Sequence, residues 1–123
     1  MTIVVFAGQG SQFPGMGREL FQRYPALGRE ASEVLGYDLV DRCLHAPREE
    51  LRLTRYAQPA IFVYSALAWR RRQDEGGAAP AAVAGLSLGE LNALHAAGVF
   101  DFATGVRIVA KRAEVMDWHA SRK

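Results

Sequence analysis

Ser87 carries the strongest chemical signal in this sequence, because it stands at the centre of a Gly-x-Ser-x-Gly pattern in residues 85–89. Residues 81–84 predict a short buried strand before the pattern, and a helix is predicted after it, to about Gly98. Between a strand and a helix, the two glycines permit a strained turn that lifts the serine hydroxyl clear of the sheet. The N-terminus of the helix would direct free N–H groups at an oxyanion formed there. The pattern therefore predicts an acyl-accepting nucleophile.

A serine nucleophile needs a general base, and none of the three histidines is placed for that role by the sequence. His95 follows Ser87 by eight residues on the same predicted helix, roughly 12 Å along the axis, which is too far for a hydrogen bond. We expect His95 to be a helix-packing or surface residue. His45 lies in residues 37–58, where the pattern assigns no clear element, and His119 lies in the tail. No general base is assigned.

Arg112 gives a second signal, because it falls on the apolar side of the last predicted helix, residues 102–116, for which Asp101 is the predicted N-cap. A helical wheel places these residues on that side: Phe102, Val106, Ile108, Val109, Ala113, Val115 and Met116. A guanidinium among them needs an anionic partner. Three interpretations stay open: an internal ion pair, a side chain that reaches the surface, and a bidentate clamp for a carboxylate on a ligand.

The remaining patterns predict one α/β unit around these residues. Residues 3–6 are apolar and β-branched, which predicts a strand buried on both faces, and residues 8–12 form a tight polar loop after it. Helical spacing then continues to Gly36, with an interruption at Pro25. A nearly all-apolar helix is predicted over residues 59–69, with its proline in the first turn.

Two strands are too few to form a complete sheet for this many helices to cover. A parallel sheet usually has several strands and needs both of its faces covered. We therefore predict a short parallel sheet flanked by helices, incomplete without further strands from a continuation of the chain or from another polypeptide.

The bulk composition excludes several classes of function. A length of 123 residues fits one domain, and a formal charge of +2 is too small to indicate a nucleic-acid partner. Cys43 is the only cysteine, so neither an internal disulfide nor a cysteine metal cluster is possible, and no metal is predicted. The sequence has no signal-peptide leader and no membrane-spanning stretch, which predicts a cytoplasmic protein without membrane contact.

Five ordered blocks of the sequence resemble the malonyl-CoA:acyl-carrier-protein transacylases of fatty-acid and polyketide synthesis. The blocks are FAGQGSQ at 6–12, QPA at 58–60, AGLSLGE at 84–90, AGVFD at 97–101, and residues 107–116. The resemblance covers nearly the whole chain and fades in the last seven or so residues.

The resemblance implies a role for each matching residue. Ser87 would take a malonyl group from coenzyme A as an ester and pass it to the phosphopantetheine thiol of an acyl carrier protein. The backbone N–H groups of Gln9 and Leu88 would form the oxyanion hole, and Arg112 would hold the malonyl carboxylate. No cofactor is implied beyond the coenzyme A thioester and the pantetheine arm of the carrier protein.

The resemblance also implies the domain organisation. Residues 1–123 would be the N-terminal segment of an α/β-hydrolase-like large subdomain, so the chain is expected to be a partial core of that fold. A ferredoxin-like small subdomain and a C-terminal segment would be absent.

Three departures from the family accompany the resemblance. Family members are more than twice as long, and their catalytic histidine lies beyond the inserted small subdomain. Leu86 stands where the family usually has histidine, which is not the general base but adjoins the acyl pocket. The ending, residues 117–123, does not match the family's continuation. A truncation, a split gene or a proteolytic stop would each explain this difference.

Three functions remain open from the sequence. The first is an acyltransferase whose other half lies in a second polypeptide or has been removed. The second is an acyl-thioester hydrolase of the same fold, which Arg112 disfavours because an arginine clamp selects acyl groups that end in a carboxylate. The third is a non-catalytic module that binds a carrier protein or completes an assembly, since a serine without a histidine acylates slowly or not at all.

Overall fold

Two parallel strands form the centre of the structure. The computed structural model describes residues 1–121. Arg122 and Lys123, which belong to the predicted N-terminal segment 1–123, lie outside the described residues. Strand β1, Ile3–Phe6, pairs with strand β2, Ala82–Gly85, in a register that runs from Ile3 opposite Ala82 to Phe6 opposite Gly85. Both predicted strands and the parallel α/β class are confirmed, with β2 displaced by one residue. The predicted burial of β2 is wrong within residues 1–121, because Ala82 and Ala84 are exposed there.

Seven helices accompany the strands in the described part of the chain. The predicted interruption at Pro25 separates the first two helices, and Gly36 ends the second in a left-handed conformation with φ of 82°. The helices are α1 Arg18–Arg23, α2 Pro25–Leu35, α3 Leu39–His45, α4 Arg48–Leu51, α5 Thr54–Asp74, α6 Gly89–Ala96 and α7 Phe102–Ser121. The short helices α3 and α4 occupy the region that the sequence pattern left unassigned.

The predicted N-cap of the last helix is confirmed, whereas the predicted end is wrong. The Asp101 carboxylate accepts a hydrogen bond from the Thr104 backbone N–H at 2.8 Å, which satisfies one of the free donors of the first turn. Helix α7 continues to Ser121, five residues beyond the predicted end at Met116. No proline or glycine follows Met116 within the helix to stop it.

Helix α5 begins at Thr54, earlier than predicted. Pro59 therefore lies inside the helix, after its first turn, and not in the first turn. Proline has no N–H, so the carbonyl of Arg55 loses the donor that a helix would normally supply. The Tyr37 hydroxyl donates to this carbonyl at 3.5 Å. A contact from a distant part of the chain therefore replaces the missing helical hydrogen bond.

The sheet is covered on one face only within residues 1–121. Phe6 is buried and packs edge to face on Trp69 of α5, with ring centroids 6.0 Å apart. On the opposite face, Ile3 is 55% exposed and Val5 is 64% exposed. The prediction that this strand is buried on both faces is therefore wrong for the described residues, since none of their helices covers the second face.

The core lies around helix α5, which contacts each of the other six helices of the described chain. Its residues Ala57 to Val63 are buried without a break. Cys43 of α3 is also fully buried, and burial raises the pKa of its thiol to about 12. None of the described helices is both long enough and apolar enough to cross a membrane.

His95 is a packing residue, as expected. Its ring lies against the rings of Phe62, Phe100 and Phe102, at centroid distances of 5.9, 6.3 and 6.3 Å. Burial lowers the pKa of His95 from its ordinary value of 6.5, and the nearby carboxylate of Asp101 opposes that shift. The charged form of the imidazole is therefore disfavoured in the folded chain.

We expect the free energy of unfolding to fall as the pH is lowered from about 6.5, the ordinary pKa of histidine. The unfolded chain binds the proton first, because the folded-state pKa of His95 is the lower of the two. Urea unfolding across this pH range should show the loss in wild type and a smaller loss in His95→Leu. His45→Gln, which changes an exposed histidine, should keep the wild-type dependence. Equal pH dependence in wild type and His95→Leu would contradict the assignment.

Candidate active site

Ser87 sits on a sharp turn between strand β2 and helix α6. Its φ is 55°, and it is the single non-glycine residue with positive φ among residues 1–121. This left-handed conformation costs about 1–2 kcal/mol for a residue with a side chain, so the surrounding contacts must hold it. Ser87 is exposed, and the neighbouring Leu86 is 73% exposed. The hydroxyl therefore faces away from the packed interior.

Close backbone contacts hold this turn in place. A Cβ atom at Gly85 would collide with the backbone of Gly89, and a Cβ atom at Gly89 would collide with the carbonyl of Phe6. A Cβ atom at Gly8 would lie 2.6 Å from the Leu86 carbonyl oxygen. Glycine is therefore required at both ends of the motif and in the loop after β1, where these segments pack against one another.

The loop of residues 8–12 is held beside the turn by its own hydrogen bonds. The Ser11 hydroxyl donates to the Gly8 carbonyl at 2.9 Å, and the Gly10 N–H donates to the Gln12 side chain at 2.8 Å. The Gln9 side chain donates to the Thr54 hydroxyl at 3.2 Å. The fixed loop keeps the backbone of Gln9 close to the serine turn.

Two backbone N–H groups near Ser87 are available to a ligand. Within residues 1–121, the N–H groups of Gln9 and Leu88 donate no hydrogen bond. Leu88 is the N-cap residue of helix α6, and its side chain is fully buried. Its backbone N–H therefore belongs to the positive end of that helix. Free donors at a helix N-terminus suit a negatively charged oxygen.

Arg112 lies beside Ser87, although 25 residues separate them in the sequence. Its Nη2 donates to Ser87 Oγ at 3.2 Å, and its Nη1 donates to Gln58 Oε1 at 2.7 Å. Neither partner carries a charge. No carboxylate of the described residues forms an ion pair with Arg112, so the internal ion pair considered from the sequence is absent there.

Gln58 joins the arginine to the loop after β1, and the sequence alone did not identify this role. Its side chain is fully buried. Its Nε2 donates to the Met116 sulfur at 3.0 Å and to Gln9 Oε1 at 3.5 Å. The available signal was an amide side chain directly before the nearly all-apolar run of residues 59–69, because a polar group buried next to such a run needs specific partners.

The apolar side of α7 is narrower than the helical wheel predicts. Val106, Val109 and Ala113 are buried, as expected. Ile108, Val115 and Met116 are exposed, with 38%, 43% and 40% of their surface accessible, so their predicted burial is wrong within residues 1–121. Ile108 and Val115 lie at one edge of the predicted arc.

No general base contacts the serine in the described part of the chain. His95 is held in its phenylalanine cluster, and His45 and His119 are exposed at other positions. The hydrogen-bond partner recorded for Ser87 Oγ is Arg112. Residues 1–121 also contain no group of three or more histidine, cysteine or acidic side chains that could hold a metal ion.

A groove of about 750 Å³ lies elsewhere, between helices α2 and α3. It contains neither Ser87 nor Arg112. The hydroxyl of Ser32 in this groove donates to the Gly28 carbonyl at 3.0 Å and accepts from the Leu39 N–H at 3.0 Å. This hydroxyl both donates and accepts a structural hydrogen bond, so the chemistry favours the exposed serine turn over this groove.

The acyl transferase domain family matches residues 3–122. The match includes nearly all of residues 117–123, so the expectation that the ending departs from the family is wrong.

Several curated relatives match 94% of this chain, among them two proteins named for polyketide biosynthesis. The polyketide biosynthesis protein ThaF of Burkholderia thailandensis is 50% identical over 116 residues, which are 10% of its own length. The polyketide biosynthesis malonyl CoA-acyl carrier protein transacylase BaeC of Bacillus velezensis is 45% identical over 116 residues, which are 40% of its length. The chain therefore spans less than half the length of these relatives.

Solved structures agree with the fold. Malonyl CoA-acyl carrier protein transacylase from Burkholderia pseudomallei has a TM-score of 0.92 and 47% identity, covering 96% of this chain and 41% of that one. A malonyl-transacylase in complex with its type II PKS acyl-carrier protein has a TM-score of 0.87 and 45% identity, covering 94% of this chain and 38% of that one. These similarities confirm the α/β class and the resemblance seen in the sequence.

We expect Gly89→Ala to lower the free energy of unfolding by about 3 kcal/mol or more, because the new methyl group would collide with backbone that has little room to move. Gly36→Ala is the control for an added methyl group without a collision, since no atom lies within 4 Å of its added Cβ; unlike Gly89, however, Gly36 has a left-handed φ of 82°. It should cost only about 1–2 kcal/mol of backbone strain. Urea denaturation measures both, and an equal or smaller loss in Gly89→Ala would contradict the close contact.

Proposed function

Because the chain belongs to the acyl transferase domain family, we propose that it is the nucleophile-bearing part of a malonyl transferase. The proposed donor is malonyl-CoA, and the proposed acceptor is the phosphopantetheine thiol of an acyl carrier protein. The names of the relatives support both, and one similar structure is a complex of a malonyl-transacylase with its acyl-carrier protein. The polyketide biosynthesis names of the two relatives favour a polyketide pathway.

In the proposed reaction, Ser87 Oγ attacks the thioester carbonyl carbon and forms a new carbon–oxygen bond. The serine proton passes to a general base that residues 1–121 do not supply. The tetrahedral oxyanion is stabilised by the N–H groups of Gln9 and Leu88. It collapses with cleavage of the carbon–sulfur bond, and the coenzyme A thiolate leaves and takes up a proton. The carrier thiol then reverses these steps and releases Ser87.

Arg112 selects the acyl group in this proposal. A guanidinium that lies between two uncharged acceptors keeps its charge available for a ligand. Its planar donor pair matches a carboxylate, and the malonyl group ends in one. An acetyl group offers no such partner and should bind less well.

One observation carries the proposal: the Arg112 guanidinium lies 3.2 Å from the oxygen of an exposed serine on a strained strand-to-helix turn. A nucleophile and a cation at this separation suit an acyl group with a carboxylate close to its carbonyl carbon, as in malonyl. The same observation disfavours a general hydrolase, which would have no need for a charged clamp.

We expect prolonged incubation with excess malonyl-CoA to add one malonyl group slowly, because residues 1–121 supply no general base, and we expect Ser87→Ala to abolish the addition because the accepting oxygen is removed. Intact mass spectrometry measures the product. Ser65→Ala, which removes a hydroxyl from α5, is the matched control and should label like wild type. Rapid release of free malonate without a covalent adduct would indicate the hydrolase. The absence of both adduct and turnover would indicate the non-catalytic module.

We expect Arg112→Ala to reduce the preference for malonyl-CoA over acetyl-CoA by about 30-fold or more, since a desolvated charge pair is worth about 2 kcal/mol or more. The ratio of the two adducts in a competition experiment measures the preference. Arg107→Ala removes an exposed arginine from the same helix and should leave the ratio unchanged. An unchanged ratio in Arg112→Ala would remove the clamp from the mechanism.

A further inference from the structure

The Gln58 amide can adopt only one orientation in this site. A guanidinium has donors and no acceptor, so the Gln58 oxygen must face Arg112. The amide nitrogen then faces two acceptors, the Met116 sulfur at 3.0 Å and Gln9 Oε1 at 3.5 Å. A reversed amide would place donor against donor. The three contacts therefore fix the side chain together.

These contacts form one directed chain of hydrogen bonds. Arg112 donates to Gln58, Gln58 donates to Gln9, and Gln9 donates to the Thr54 hydroxyl. Each donor is polarised toward its neighbour, so the bonds reinforce one another. Because Gln58 is fully buried, water does not compete for its amide. The arginine and the loop that carries Gln9 are thus held by the same side chain.

The neutrality of the Gln58 side chain matters as much as its position. A carboxylate at this place would form a bidentate ion pair with Arg112 and would cancel the charge that a ligand carboxylate needs. An apolar side chain would leave the charge but remove the strong acceptor at 2.7 Å that orients the guanidinium. A neutral acceptor fulfils both requirements.

We propose that Gln58 is a positioning residue that determines acyl specificity: its neutral amide orients Arg112 toward Ser87 without neutralising the guanidinium. This inference rests on the proposed function, because it assumes that Arg112 binds the carboxylate of the acyl group. It adds that the preference for a charged acyl group depends on an uncharged residue that need not touch the substrate.

The test is a competition between malonyl-CoA and acetyl-CoA at equal concentrations, with the ratio of the two Ser87 adducts read by intact mass. A ratio is used because slow acylation, misfolding of part of the sample and a missing base reduce both adducts together. Gln58→Glu should lower the malonyl-to-acetyl ratio about tenfold or more, since it supplies an internal counter-ion. Gln58→Met, of similar volume, should lower it a few-fold, since only orientation is lost.

The matched control is Gln73→Glu, which makes the same chemical change at an exposed position of the same helix and should leave the ratio unchanged. A purely structural role for Gln58 would reduce both adducts equally and keep the ratio at the wild-type value. An unchanged ratio in either folded Gln58 variant would overturn the inference.

Wild-type labelling separates this inference from the proposed function. If wild type forms no adduct at Ser87 even after prolonged incubation with excess thioester, the proposed function fails and the inference fails with it. If wild type prefers malonyl and both Gln58 variants keep that preference, only the role of Gln58 is wrong.

Discussion

Three backbone segments meet at the carboxyl ends of the two parallel strands, with no room for side chains between them. The segments are the loop after β1, the end of β2 and the first turn of α6, and glycine stands at each contact: Gly8, Gly85 and Gly89. This crowding holds Ser87 in a conformation that an isolated peptide would avoid. The exposed hydroxyl, the free N–H groups around it and the position of the neighbouring loop all depend on that approach.

The charge balance of the site follows from what packs against the turn. Helix α7 brings a guanidinium to the serine, and helix α5 meets it with an amide and not with a carboxylate. Leaving a partly buried cation without a counter-ion is unfavourable in a folded protein. Such an arrangement is therefore expected where a ligand supplies the missing charge, and it favours a binding role for Arg112 over a structural one.

Local patterns in the sequence predicted the features that short segments determine. The strands, the turn at Ser87, the interruption at Pro25 and the cap at Asp101 all follow from residue types close together in the chain, and the structure contains each of them. Arg112 was also recognised as unusual, because helical spacing alone places it on an apolar side. The resemblance to a family added roles for these residues that spacing alone did not give.

Features that depend on distant contacts escaped the prediction. In helix α5, the carbonyl that Pro59 leaves without a helical donor accepts a hydrogen bond from the Tyr37 hydroxyl, which comes from a separate part of the chain. The role of Gln58 relies on Arg112, which follows it by 54 residues. Strand β1 was expected to be buried on both faces, but burial depends on what packs over the sheet, and no element of residues 1–121 covers Ile3 and Val5.

The burial of Cys43 has a consequence for any thioester chemistry of this chain. A cysteine ordinarily captures acyl groups from thioesters by thiol exchange, and only its thiolate does so. Because burial raises the pKa of Cys43 to about 12, its thiol stays protonated at neutral pH, and the sulfur is enclosed by the core. The Cys43 sulfur therefore does not accept an acyl group while the chain stays folded. An acyl group that the folded chain carries is attached through oxygen or nitrogen.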